Sequence, residues 1–544
     1  MSLALLLLLQ AAAPAAQADS LLVRRVDSVF APWDHTNTPG CAVAVDRAGT
    51  PLFRRAYGMA NLETGTPWTV GTLSESGSVA KQFVAGAIVL LARDGALTLD
   101  DDISRWIPEV RGFGKKITIR NLLSHTSGIP DRYTLHEVQG RPAGETDHTN
   151  AEVLDLVSRL RELNFDPGED YEYSNTGLIV AAALLERASG KSLQAFTEER
   201  LFKPLGMEHT RWREDHRVVV SGRASAYAGT LAGGFSNDHP FTRVIGSGGL
   251  LTTVGDFLKW EAALQSGAGP WGAVRDSLER GMRLNDGTEL GYGLGVGIGR
   301  VRGVRLVSHT GSTGGYRAAL YRFPDQQVAL ALLCNLGSIN PAQIAQRVSA
   351  LVLGSALAAV EPEPAGVAVT AATLSGLAGV YHAPRTEQVL VLSVLNGSLQ
   401  DSAARSLLIP LSATQFKYRG NQRTLTVVPG APVRIRSEAP NTRMVEYLAV
   451  PRPPQDGGTP AVYEGDYRSA ELDAKLHLSV AHDTLKLDRG WQAPIPLTPL
   501  YRDGFAAGDL GVIRFERDRR GRVTGMVLWA GRVRHLRFER AASL

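Results

Sequence analysis

Apolar residues along this chain follow two rhythms, and the change from one to the other divides it. Between Val79 and Leu91 almost every position is apolar, which predicts a buried helix opening at Ser78 and closing at Gly95. Helical spacing returns over residues 150–163, 177–188 and 253–264. The last of these opens with Thr253 three residues before Asp256, a start resembling a capping box. Short apolar runs mark strands instead. Residues 41–45 and 52–56 flank a turn containing Asp46 and Gly49 and predict a hairpin. Residues 304–308, 316–323 and 328–334 predict three more strands. Strands therefore come from both ends of the first 357 residues, with helices between them. The pattern predicts an α/β (α+β) domain over residues 19–357: an antiparallel sheet flanked by helices, plus a helical subdomain.

The rhythm breaks at residues 358–365, where Glu361-Pro362-Glu363-Pro364 predicts a linker, taken as 358–370. Beyond it helical periodicity fades and short strands take over. Gly379-Val380-Tyr381 recurs as Gly465-Asp466-Tyr467, Leu392-Ser393-Val394 as Leu478-Ser479-Val480, and Ile409-Pro410-Leu411 as Ile495-Pro496-Leu497, all at an offset of 86. Three matches at one offset predict duplicated modules, 371–455 and 456–544, joined through Pro451-Arg452-Pro453-Pro454. Each reads as a small all-β barrel with side chains filling its interior and no catalytic constellation.

Composition excludes several classes of function. The net charge is only +4 over 544 residues. The arginines between 514 and 540 alternate with apolar residues, which predicts a solvated strand face and no nucleic-acid partner. Residues 3–9 are apolar and Ala16-Gln17-Ala18 offers a small-residue cleavage site, so residues 1–18 read as a signal peptide without the usual basic start. The predicted location is periplasmic or secreted, with no stable membrane span after cleavage. The two cysteines, Cys41 and Cys334, are expected to be buried free thiols. The twelve histidines show no metal-ligand spacing, so neither a metal nor a cofactor is expected.

Three short motifs carry the chemistry. Ser78-Val79-Ala80-Lys81 is the only place where a lysine follows a serine by three residues. That spacing puts both on one helix face, so the hydroxyl and the amine can meet. A serine at a helix start also lies beside unpaired backbone N–H groups. A nucleophile, an amine to manage its proton and donors for an oxyanion are parts of acyl transfer. Tyr173-Ser174-Asn175 is the only Tyr-x-Asn, and His309-Thr310-Gly311 the only His-Thr-Gly.

In this order the motifs resemble the serine beta-lactamase-like family, on its branch of class C beta-lactamases, D-aminopeptidases, D-alanyl-D-alanine carboxypeptidases and esterases. The resemblance extends to residues 75–83, 117–128, 165–178 and 246–253, and covers about residues 25–355. It implies a groove between sheet and helical subdomain, and lipocalin-like modules in the tail. It implies Ser78 as nucleophile, Lys81 and Tyr173 as proton-transfer groups, and Asn175, His309, Thr310 and Gly311 as substrate-positioning residues. The oxyanion would lie between the backbone N–H groups of Ser78 and Ser312. His125 is left structural, and residues 131–150 read as an irregular loop. His309 stands where the penicillin-recognising members carry Lys, and a largely neutral histidine weakens recognition of a substrate carboxylate. The reading is an exported serine hydrolase of small amides, peptides or esters, D-aminopeptidase-like, with peptidoglycan-derived peptides among its candidate substrates. The alternatives are an esterase, a weak beta-lactamase or carboxypeptidase, or a non-catalytic cell-wall-binding protein.

Overall fold

A computed structural model describes residues 15–142, 144–451, 460–490 and 492–541. Most of the expected export segment, and Arg452-Pro453-Pro454 between the two modules, lie outside the described residues.

The centre of the first unit is a six-stranded antiparallel sheet. Its strands are β1 (Cys41–Arg47), β2 (Thr50–Tyr57), β3 (Gly297–Val301), β4 (Val304–Thr313), β5 (Tyr316–Phe323) and β6 (Val328–Cys334). They lie in the order β3-β4-β5-β6-β1-β2. Both faces are covered. Ala42, Ala44, Leu320 and Leu333 pack toward helix α2 (Lys81–Arg93) and the helical subdomain. Val43, Val45, Leu330 and Leu332 pack with Val26 of α1 (Ala15–Phe30) and Val348 of α5 (Pro341–Leu353). Burial on both faces is why the central strands read as continuous apolar runs rather than as alternation. Between the strands come α3 (Asn175–Ser189) and α4 (Val254–Ser266). The Thr253 side chain caps α4, accepting from the Asp256 N–H at 3.2 Å.

Several expectations need correction. Cys41 and Cys334 are not free thiols. They are direct partners in the β1–β6 register and form a disulfide, fully buried. A separation of 293 residues gave no hint of this; the sheet order alone makes them neighbours. The segment after residue 130 is not all loop, since Arg132–Val138 is helical with Asp131 as its N-cap. The 150–163 helix stops at Arg159.

The tail contains two β units. Eight strands, from Gly379–His382 to Val445–Val450, form a closed barrel. The second unit is a nine-stranded antiparallel sheet, not a closed one. Its edge strands, Ile495–Pro496 and Thr498–Tyr501, are separated by a single residue, so the sheet winds nearly into a barrel. The 86-residue offset is visible in space. Gly379 pairs with Leu392 as Gly465 pairs with Leu478. Tyr381 donates its hydroxyl to the Leu377 carbonyl and Tyr467 to that of Tyr463, both at 2.8 Å.

One hairpin of the second unit, β7 (Val523–Ala530) and β8 (Val533–Arg540), docks on the first. Asn164 donates to the Arg532 carbonyl at 2.9 Å and accepts from the Arg534 N–H at 2.8 Å. The buried Arg534 guanidinium pairs with Glu172 at 2.7 Å and Asp170 at 3.2 Å. The arginines of 514–540 are therefore not all on a solvated strand face.

Candidate active site

Ser78 lies in a 3-10 turn, Gly77–Ala80, that runs directly into α2, so its backbone is at a helix start as expected. Two glycines let β4 approach that turn. A Cβ on Gly311 would meet the Ser76 carbonyl oxygen at 1.9 Å, and one on Gly77, where φ is +50°, would meet the Ser312 nitrogen at 2.5 Å. Only bare backbone fits there. The approach brings the Ser312 amide beside the Ser78 turn, the arrangement needed for two N–H groups to share one oxyanion.

Lys81 is fully buried. Its Nζ lies 3.0 Å from Ser78 Oγ, 2.9 Å from Asn175 Oδ1 and 2.7 Å from the Ser247 carbonyl oxygen. Burial holds this amine well below its ordinary value; Asp131 opposes the shift, and Arg532 and Arg132 add to it. A neutral amine has two hydrogens and one lone pair. Asn175 Oδ1 and the Ser247 carbonyl can only accept, so the two hydrogens go to them and the lone pair faces the Ser78 hydroxyl.

Asn175 begins α3 and is held from behind. Asp131 Oδ2 accepts from its backbone N–H at 2.6 Å and from its Nδ2 at 2.9 Å. That fixes the amide so that its oxygen faces Lys81. Tyr173 is half-buried against the same cluster, with its ring centroid 4.9 Å from Lys81 Nζ. Burial raises the phenol above its ordinary value, with the Ser78 hydroxyl and Arg532 acting the other way, so it stays protonated at neutral pH.

His309 sits on β4, buried, with both ring nitrogens engaged. Its Nε2 lies 3.0 Å from the Tyr292 hydroxyl and its Nδ1 2.6 Å from the Thr310 carbonyl oxygen. The Tyr292 hydroxyl in turn lies 3.2 Å from His125 Nε2, and the Ser174 N–H donates to His125 Nδ1 at 3.2 Å. This last bond orders the chain. His125 Nδ1 accepts, so its Nε2–H donates to Tyr292, Tyr292 donates to His309 Nε2, and His309 Nδ1–H donates to the Thr310 carbonyl. Burial pushes His309 down to about 3. The neutral histidine expected from the third motif is thus held by Tyr292 and positions the cleft wall. His125, set aside on sequence, is part of its support.

These groups open onto a cleft of about 620 Å³ lined by Ser78, Tyr173, Asn175, His309, Thr310, Gly311 and Ser312. The structure thus brings together every residue singled out by the three motifs. Sequence reasoning missed Ser247, Asp131 and Tyr292, and also Arg532, which reaches the cleft from the β7–β8 turn. Among the described residues no cluster of three or more His, Cys, Asp or Glu could hold a metal ion.

A family model described as Beta-lactamase matches residues 26–355. The chain belongs to the Beta-lactamase family. It is 26% identical over 316 residues to a D-aminopeptidase of Brucella anthropi, an alignment spanning 58% of this chain but only 59% of that relative's length. A D-aminopeptidase from Brucella anthropi strain ATCC 49188 aligns more fully, at 25% identity over 531 residues, 93% of this chain and 96% of the relative, so the likeness includes the two β units. Among solved structures, the D-amino acid amidase from Ochrobactrum anthropi SV3 complexed with D-phenylalanine superposes with a TM-score of 0.52 and 23% identity, covering 61% of this chain and 99% of its own; at that identity the match supports the fold alone.

Proposed function

We propose that this Beta-lactamase family protein is an exported hydrolase of small D-amino-acid amides and peptides, working through an acyl-enzyme on Ser78. The observation that carries the reading is the Lys81 environment: two obligate acceptors at 2.9 and 2.7 Å leave its lone pair for the Ser78 hydroxyl at 3.0 Å. Ser78 gives its proton to Lys81 as Oγ bonds to the substrate carbonyl carbon. The carbonyl oxygen takes the negative charge between the Ser78 and Ser312 amides. The C–N bond then breaks, the leaving nitrogen takes the Tyr173 proton, and Lys81 returns a proton to Tyr173. Water attacks the acyl carbon by the same route, with its proton going to Lys81 and Ser78 Oγ leaving protonated.

The raised Tyr173 phenol makes it the acid rather than a standing base, and the Lys81 amine the base. The D-amino-acid preference rests on the D-aminopeptidase relatives. Peptidoglycan-derived peptides fall within the same chemical class. Export is supported by the buried Cys41–Cys334 disulfide, since such bonds persist in oxidising compartments.

The test is a panel of D- and L-amino-acid amides, short-chain esters and a chromogenic cephalosporin, with Ser78→Ala as control. A fluorophosphonate should add its mass to the peptide containing Ser78, and D-amides should turn over fastest. Hydrolysis retained in Ser78→Ala, or preference for L-amides, refutes the reading.

A further inference from the structure

The charge of the cleft comes from an unexpected place. Burial weakens the hold of both Lys81 and His309, its two central basic groups, on a proton. Among the described residues no Asp or Glu lines the cleft, and Asp131 behind it is buried with Oδ2 taken by Asn175 and Oδ1 by the Tyr133 N–H. Among the described residues, two guanidinium groups line the cleft, those of Arg317 and Arg532. Arg317 donates to the Gly314 and Tyr316 carbonyls at 2.6 and 2.7 Å. Arg532 is different. Its guanidinium lies over the Tyr173 ring at 4.7 Å, and among the described residues no acceptor takes a hydrogen bond from it; Asp131 Oδ2 stands off at 3.9 Å.

Arg532 is nonetheless held in place. Its carbonyl accepts from Asn164, and two residues on Arg534 is clamped by Glu172 and Asp170. A half-exposed cation on a pinned turn, with a fork of free N–H donors facing a cleft, matches the bidentate geometry of a carboxylate.

We propose that Arg532, supplied by the second β unit, binds a carboxylate on the leaving-group side of the substrate. The side follows from Tyr173: Arg532 covers the ring of the group that hands its proton to the leaving nitrogen, so what lies beside that nitrogen lies beside Arg532. This rests on the amide-hydrolase reading above and narrows it. The preferred substrates are short peptides whose leaving amine carries a free carboxylate, rather than simple amides or peptides with a blocked C-terminus.

The probes are D-alanyl-glycine and D-alanyl-glycinamide, which share the scissile bond and differ only in the carboxylate. A hydrogen-bonded charge pair of this kind corresponds to about a 10- to 100-fold effect. The full-length protein should show kcat/KM for the acid above that for the amide by that factor. Arg532→Gln should bring the ratio near one, and Arg532→Glu should reverse it. Because both probes undergo the same chemistry, a general loss of activity in a variant leaves the ratio readable. Equal rates in the unmodified protein, or a ratio untouched by Arg532→Gln, overturn the proposal.

Calorimetric binding of both dipeptides to Ser78→Ala, with and without Arg532→Gln, separates the two readings. Tighter binding of the acid that depends on Arg532, with neither probe hydrolysed by the intact enzyme, keeps this proposal and sinks the amide-hydrolase reading. Equal binding of both, with both hydrolysed at equal rates, does the reverse.

Discussion

His309 should make the protein acid-labile in a measurable way. Its ring is buried with both nitrogens engaged, and it titrates at about 3 instead of 6.5. Above pH 6.5 neither the folded nor the unfolded state carries its proton, so it has no effect on stability. As pH falls below 6.5 the unfolded chain binds a proton that the folded protein refuses until about pH 3. Stability is lost across that window at up to about 1.36 kcal/mol per pH unit. By pH 5 the loss from this one group reaches about 2 kcal/mol, and by pH 4 about 3 kcal/mol. His125 and His136 are also lowered by burial and act in the same direction, so the comparison must isolate His309. His309→Gln does so, leaving an amide that can still accept from Tyr292. Calorimetric unfolding at pH 5, in buffers of different ionisation enthalpy, counts the protons taken up. The unmodified protein should take up about one more than His309→Gln, and its melting temperature should fall more steeply between pH 7 and pH 5. Equal uptake and parallel curves would mean that His309 titrates normally, and the ordered chain through Tyr292 would fall with it.

Other outcomes follow from the same geometry. Lys81→Ala and Tyr173→Phe should each lower kcat by roughly 10²- to 10⁴-fold without unfolding the protein, as circular dichroism can verify; near-normal turnover in either removes that residue from proton transfer. Tyr292→Phe strands the buried His125 donor and His309 acceptor, each costing about 1–3 kcal/mol, so the melting temperature should drop; an unchanged melt would show that the hydroxyl joins neither ring. The Cys41–Cys334 disulfide is fully buried and closes a loop of nearly 300 residues, so reductant alone should expose no thiol to alkylation, while reductant with denaturant exposes two. Thiol labelling of the native oxidised protein would contradict the pairing.

The readable parts of the sequence were those where one physical effect dominates. β5 and β6 are buried on both faces, and their apolar runs gave their bounds directly. β4 was read only to Ser308, because His309 to Thr313 is polar or small and is held in the sheet by backbone pairing with β5. The motif residues converge on one cleft because motif order reflects a shared fold. Ser247 contributes a carbonyl oxygen, which any residue type could supply, so no sequence pattern marks it. Asp131 looked like one charge in a polar stretch, and only the packing of α3 shows it gripping Asn175. Arg532 was hidden among arginines of similar spacing; its hairpin is distinguished by where it docks, not by composition.

The docking of β7–β8 also has a kinetic meaning. Asn164 and Arg534 are 370 positions apart, and Glu172 and Arg534 are 362 apart, whereas Lys81 and Ser247 at the chemical centre are separated by 166. Closing larger loops costs more entropy, and contacts of long range tend to form late. The hairpin itself is local and can assemble early, but its seat on the first unit requires both bodies to be nearly complete. Folding should therefore build the reactive serine–lysine pair before it installs the wall that carries Arg532. A newly made molecule would pass through a stage that is chemically competent but indiscriminate, and selectivity would be the last property it acquires.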